Sequence, residues 1–399
     1  MAAERDYDLV LFGATGFVGE LIAGHLAEVV PPGCRWALAG RDENKLAAVR
    51  QRLGEIDPAC ADLALVQADG ADEAALRRLA ESTRVLITTV GPYLSCGEPL
   101  VAACAAAGTD YVDLTGEPEF VDRMFLRHHE TALRTGARIV HACGFDSIPY
   151  DLGAYYTVQQ LPTEQPVTVT AQVRADASFS GGTFASALTA FSRPREMAEA
   201  AQQRRRAEQR PEHRRVRAPL GSPRRDRGSG MWLAPMPSLD PRIVSRSAAA
   251  LPEYGPDFTY RQYAAVRRLP VFAAGMAGLG ALVLLSQVPP ARRALGSLRG
   301  PGTGPSEQRR ARSWFSVRFI GEAGGRWVHT EFAGGDPGYD ETAKMIAESA
   351  LCLAFDDLPN VAGQVTTATA MGPALLDRLR TAGLTIRTLD RGDATGERS

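Results

Sequence analysis

Gly13-Ala14-Thr15-Gly16-Phe17-Val18-Gly19 follows an apolar run at residues 8–12 and opens a stretch of helical spacing that continues to Val29. Glycines at these intervals let the chain turn tightly, bring its backbone against a pyrophosphate and pack a helix closely on a strand. The start of that helix then offers N–H groups without intrahelical partners and a partial positive charge. With a strand before it and a helix after it, the stretch predicts a dinucleotide site built from Gly13, Thr15, Gly16, Phe17, Val18 and Gly19. A glycine turn that binds nothing is the blander reading of the same letters.

Outward from this turn the same rhythm repeats. Strands are expected at residues 8–12, 36–39, 63–67, 85–89, 111–114 and 139–142, with helices at 16–29, 43–53, 72–80, 98–107 and 120–135. Alternation of this kind predicts an α/β fold whose first part, residues 1–150, is a Rossmann-type doubly wound parallel sheet. Ligands of such sheets lie at the carboxyl ends of the strands, so the residues after each strand are the ones to weigh. After the second strand comes Arg41, where an acid would select NAD; with Lys45 it points to the 2′-phosphate of NADPH. Asp69 follows the third strand and is placed to meet adenine, or to form a turn. Val90, Gly91 and Pro92 follow the fourth, under the expected nicotinamide. Tyr93 is then a candidate proton donor or substrate anchor, against the alternative of simple packing. Cys143 and Gly144 follow the sixth strand on the same side. Asp146 and Ser147 beyond them either orient substrate or cap the next helix; Asp146 joins Tyr93 as a catalytic candidate.

Past Pro149 the pattern changes to period two at residues 167–174, 242–247, 257–266, 313–320 and 326–332, with a glycine-turn hairpin at 322–325. Helices at 182–190, 341–355 and 374–382 complete a second, α+β domain of mostly antiparallel sheet, residues 151–390. This is the expected substrate domain, and its open sheet face makes a homodimer an option. Residues 204–227 hold ten arginines against three acids and read as a solvated excursion; 287–310 reads as a loop. Residues 269–291 carry no charge and match the roughly 20 residues that cross a bilayer. Arginines flank both ends, which sets no orientation. A buried helix or tunnel wall, a monotopic membrane contact and a true span are the three readings.

Composition narrows the classes. The 399 residues carry a formal charge of -1, which predicts no nucleic-acid partner. Lys45 and Lys344 are the only lysines, so arginine abundance reflects a general bias and has little weight. Six cysteines without a CxxC pair suggest neither metal site nor disulfide framework. With a strand beginning almost at residue 7 and no expected signal peptide, a cytoplasmic setting follows.

Taken together, GATGFVGE at 13–20, ALAGR at 37–41, TTVGPY at 88–93, GTDYVDLTGE at 108–117 and HACGFDSIP at 141–149 resemble the saccharopine-dehydrogenase-like oxidoreductases. Within them the chain is similar to actinobacterial trans-acting enoyl reductases, and the resemblance continues in SGGTFAS at 180–186, RIVSRS at 242–247, PGTGPS at 301–306 and TTATAMGPALLDRL at 366–379. It implies NADPH-dependent reduction of a carbon–carbon double bond in a polyketide or fatty acyl chain, carrier-bound on a synthase that lacks a reductase. It also implies a place in cell-envelope lipid or glycolipid synthesis, in contact with the plasma membrane. Oxidoreduction at a C–N bond of an amino-acid conjugate, and a non-catalytic NADPH-binding module on a membrane or synthase, are the rival expectations.

Overall fold

A computed structural model describes residues 5–177, 181–209, 211–212, 214–226, 228–297 and 304–393. Its first sheet contains β1 (Tyr7–Phe12), β2 (Trp36–Gly40), β3 (Ala64–Gln67), β4 (Thr83–Thr88), β5 (Asp110–Asp113) and β6 (Arg138–Val140). All of these run parallel, in the order β6-β5-β4-β1-β2-β3. The chain reverses direction of winding between β1 and β4, so a crevice opens past their carboxyl ends. Each crossover helix begins on a local signal. Asp42 accepts the Lys45 N–H to cap the helix Glu43–Ile56, and Asp72 caps Glu73–Ser82 in the same way.

The second sheet is built on β7 (Val167–Asp176), β8 (Arg215–Arg217), β9 (Arg224–Arg225), β10 (Trp232–Pro235), β11 (Asp257–Val266), β12 (Trp314–Ala323) and β13 (Arg326–Gly334). The 322–325 hairpin joins β12 to β13 in antiparallel register. β7 and β8 each pair parallel with β11, and the other pairings are antiparallel. Two strands come from the far C-terminus. β14 (Gly363–Val365) pairs with β6 as a seventh parallel strand, and β15 (Thr385–Asp393) edges the second sheet beside β13.

The first sheet thus draws on residues well beyond 150. The helix Asp340–Phe355, buried almost all round with Glu341 and Glu348 among its buried residues, packs against the helix Phe17–Val29 and against β4. One contiguous core links both sheets, from Leu9 and Leu11 to Phe258, Phe315 and Phe332. Buried Asp151 ties the seam: it accepts from Ser247 Oγ (2.5 Å), Thr367 Oγ1 (2.7 Å) and the Ala368 N–H (2.9 Å). Those partners belong to a helix of the second part and to the returning C-terminal segment.

Four expectations need correction. The stretch 287–310, read as a loop, carries the helices Pro289–Ser297 and Glu307–Arg310. Residues 242–247 are not a strand but the middle of the helix Asp240–Ala250, whose start carries Pro241 at the first turn. The arginine-rich region is not simply solvated. Arg204 is buried and donates to Asp122, which also pairs with Arg242 (2.9 Å) and Arg246; Arg214 donates to the carbonyls of Ala248 (2.8 Å), Leu251 (2.7 Å) and Gly255 (3.0 Å). Charge that looks unmatched along the sequence is matched in space. The apolar segment forms a helix, Leu269–Ser286, but the fold does not bury it: Ser286 alone of its residues is buried. This rules out the buried-helix reading.

Candidate active site

The turn after β1 is shaped by steric necessity. Gly13 holds φ +92, and a Cβ there would stand 2.6 Å from Thr89 Oγ1 and 2.9 Å from Val90 Cγ2; at Gly19 a Cβ would fall 2.2 Å from the Gly13 carbonyl oxygen. Side chains at either place would push apart β1, β4 and the helix that follows. Gly16 differs: it is exposed, and a Cβ would meet only the Gly13 oxygen at 3.5 Å. As the N-cap it offers no side-chain cap, so the first-turn N–H groups have no capping side chain there. This is a backbone cradle that fits a dinucleotide pyrophosphate, with Thr15, Phe17 and Val18 half-buried around it.

Arg41 and Lys45 are both exposed at the end of β2, while Asp42 between them spends its carboxylate on the helix cap. Gln67 Nε2 donates to the Arg41 carbonyl (3.1 Å), fixing the backbone from which the guanidinium extends. Two exposed cations at this strand end suit a 2′-phosphate. Asp69 is exposed and accepts the Ala71 N–H at 3.0 Å, so one of its oxygens serves the turn.

On the other side of the crevice, Val90 is half-buried and Gly91 and Pro92 are exposed. Tyr93 turns inward instead. Its hydroxyl donates to the Thr88 carbonyl (3.1 Å) and accepts the Leu114 N–H (3.2 Å), and burial pushes its pKa well above the ordinary phenol. The structure therefore gives Tyr93 the task of joining the ends of β4 and β5, and its hydroxyl does not reach the crevice as a proton donor would. Glu117 supports the same turn, accepting the N–H groups of Tyr93 (3.2 Å) and Leu94 (2.8 Å).

The loop after β6 is organised by Asp113, fully buried at the end of β5. Oδ1 accepts the N–H groups of Ala142 (2.8 Å) and Thr115 (3.1 Å), and Oδ2 meets His141 Nδ1 (2.7 Å) and the Tyr111 hydroxyl (3.0 Å). Ala142 consequently sits at φ +60, a conformation rare outside glycine. Cys143 points into the core, its thiol pushed up by burial, and Gly144 is wedged between Leu114 and Thr342. Neither presents a side chain to a cofactor.

Asp146 emerges where this loop turns. Its carboxylate lies against the Gly116 backbone, with Oδ2 3.0 Å from where a Cβ would stand. Ser147, not Asp146, is the N-cap of the helix Ile148–Val158. Desolvation raises the Asp146 pKa to about 6, and no cation opposes the shift. Tyr150 and Asp240 lie within electrostatic range of it, the latter buried and accepting from Gln262 Nε2 (2.7 Å) and Ser238 Oγ (2.8 Å). Gln262 in turn accepts from the Tyr260 hydroxyl (2.9 Å). Burial lifts Asp240 to about 8, with Asp146 adding to the rise. Asp146 ionises first, while Asp240 keeps its proton through neutrality. Sequence reading missed Asp113, Glu117, Asp240 and Gln262; the one local hint was a pair of carboxylates inside apolar Tyr111-Val112-Asp113-Leu114 and its flanks.

Comparison with known proteins agrees with this architecture. Residues 9–140 match the saccharopine dehydrogenase NADP binding domain. A trans-acting enoyl reductase of Mycobacterium ulcerans is 37% identical, over 96% of this chain and 98% of its own. Another, of Mycobacterium tuberculosis, is 37% identical over 97% of this chain and 98% of its own. Among solved structures, apo saccharopine dehydrogenase (L-Glu forming) from Saccharomyces cerevisiae superposes with a TM-score of 0.55 at 12% identity, covering 96% of this chain and 100% of that one, which shows a shared fold.

Proposed function

The chain belongs to the family of the trans-acting enoyl reductases, built on a saccharopine dehydrogenase NADP-binding domain, and from that membership we propose how its site works. It is an NADP-dependent oxidoreductase. NADPH, when bound, supplies a hydride to the β-carbon of an enoyl thioester. The glycine cradle holds the pyrophosphate, Arg41 and Lys45 hold the 2′-phosphate, and Val90, Gly91 and Pro92 leave the crevice open beside the reacting ring. Asp69 borders the adenine side. Asp146 gives a proton to the α-carbon, so that the double bond gains one hydride and one proton. Asp240, still protonated, adds no negative charge beside the developing enolate.

The observation that carries the reading is Asp146: a carboxyl at the carboxyl edge of the sheet, raised by burial with no charged group among the described residues offsetting the shift. A site for an amino-acid imine needs a cation for the substrate carboxylate, and an acyl thioester does not. The acyl chain is carried by a partner synthase in this reading, and its product enters envelope lipid or glycolipid. Purified protein should consume NADPH with enoyl thioesters of several chain lengths and not with amino-acid imines. Consumption with imines alone would overturn it.

The helix Leu269–Ser286 gives the same chemistry a location. It has mean hydropathy 2.0, is largely exposed, and packs its half-buried residues on the helix Gly181–Ser192 and on β10. Arg267, Arg268 and Arg292 are exposed at its ends. An apolar rod of about 27 Å with cations at both ends suits the surface of an anionic bilayer on its cytoplasmic face, lying in the interface.

A further inference from the structure

An open cavity of about 390 Å³ lies where β7 ends and β12 begins, lined by Asp176, Ser306, Gln308, Arg309, Arg312 and Ser313. Its volume falls within the usual range for small-ligand sites, but its wall is polar. An acyl chain would find little to bury there.

The segment that forms this wall is fastened on its other side to the dinucleotide turn. A Cβ on Gly304 would stand 2.2 Å from the Phe17 ring, so the backbone lies directly on it. The Arg310 guanidinium stacks over Phe17 at 5.5 Å, donates to Asp340 Oδ1 (2.8 Å) and donates to the Pro305 carbonyl (3.1 Å). Arg310 is thus the clamp. Arg309 and Arg312, three apart on one turn, are on the cavity side. The cofactor's own phosphates are accounted for elsewhere, by the helix start at Gly16 and by Arg41.

We propose that this cavity receives the phosphopantetheine arm of a carrier-bound substrate, with the phosphodiester on Arg309 and Arg312. Guanidinium forks match phosphate oxygens in pairs. Ser306, Ser313 and Gln308 then meet the hydroxyl and amide groups of the arm, and Asp176 accepts from one of its N–H or O–H donors. The clamp on Phe17 places the arm beside the cofactor turn. This rests on the carrier-bound acyl reading above.

Binding of free 4′-phosphopantetheine and of pantetheine to the full chain, by calorimetry with and without NADPH, tests it apart from any turnover. The phosphorylated arm should bind about tenfold or more tighter. Arg309→Gln with Arg312→Gln should abolish that preference and leave NADPH affinity unchanged; Arg309→Lys with Arg312→Lys should keep part of it. Equal binding of the two arms by the wild type overturns the proposal. So does loss of NADPH affinity in the glutamine variant, which would assign the cavity to the cofactor. Intact arginine-dependent binding without reduction of any enoyl thioester would uphold the site and remove the enoyl reading instead.

Discussion

Asp113 Oδ1 accepts the Ala142 N–H at 2.8 Å, and this bond holds a non-glycine residue at φ +60 between the parallel sheet and the turn that presents Asp146. The other Asp113 oxygen meets His141 and Tyr111, so one buried carboxylate serves four donors together with Thr115. Asp113→Ala leaves those groups unpaired in a dry interior and should cost about 3–5 kcal/mol of stability. Thermal unfolding measures it. Asp113→Asn should recover part of the loss, because the amide oxygen still accepts. An alanine variant as stable as wild type would show that the loop does not depend on Asp113.

Arg41 bears on cofactor choice. A guanidinium that pairs with the 2′-phosphate contributes only to NADPH, since NADH has no such group. Arg41→Ala should therefore weaken NADPH by roughly 10- to 100-fold, as a charge-assisted contact of about 1.5–3 kcal/mol implies, with NADH unchanged. Fluorescence titration with both nucleotides reads the ratio directly. Equal weakening of both would move the 2′-phosphate site away from the end of β2.

The exposed helix makes a separate prediction. Leu284 is 72% exposed and Val271 56%, and such side chains are unfavourable in water but not at a lipid surface. Val271→Glu with Leu284→Glu should reduce sedimentation with anionic vesicles by an order of magnitude or more, since each charge must enter the acyl boundary, while unfolding temperature stays constant. Unchanged sedimentation would detach this helix from membrane contact.

What the sequence made legible followed from local physics. The glycine turn and the alternating apolar runs defined β1 to β6 within a residue or two, because two of the helices between them start on local caps at Asp42 and Asp72 and the strands are short apolar runs. β14 escaped notice: three residues at Gly363–Val365 hold no periodicity, and their place beside β6 depends on a chain reversal far away in sequence. Residues 242–247 alternate like a strand, yet Asp240-Pro241 just before them is a helix start that could have been weighed. The burial of Arg204 depends on Asp122 some eighty residues earlier. The same holds for the site. Arg41, Gly13 and Gly16 were visible from their strand ends, whereas the inward turn of Tyr93 and the pairing of Asp240 with Gln262 are decided by tertiary contacts.

Asp146 and Asp240 together set the pH response. Both have folded-state pKa values above those of the unfolded chain, to about 6 and about 8. The native state therefore holds protons that the unfolded chain has released, and stability falls as pH rises. For Asp146 the fall runs from about pH 4 to 6, and for Asp240 it continues to about 8. Asp240→Asn should flatten the decline between pH 6 and 8 in thermal scans. Catalysis follows the same ordering. If Asp146 delivers the proton, kcat/KM for an enoyl thioester should fall as pH rises above about 6, as the protonated fraction of the free enzyme is lost. Asp146→Asn should lower the rate by roughly 10²–10⁴-fold and leave a profile without that limb, while NADPH affinity is retained. An intact limb in the asparagine variant would transfer the proton donor's role to another group, and Asp240, which holds its proton to higher pH, is the residue to replace next.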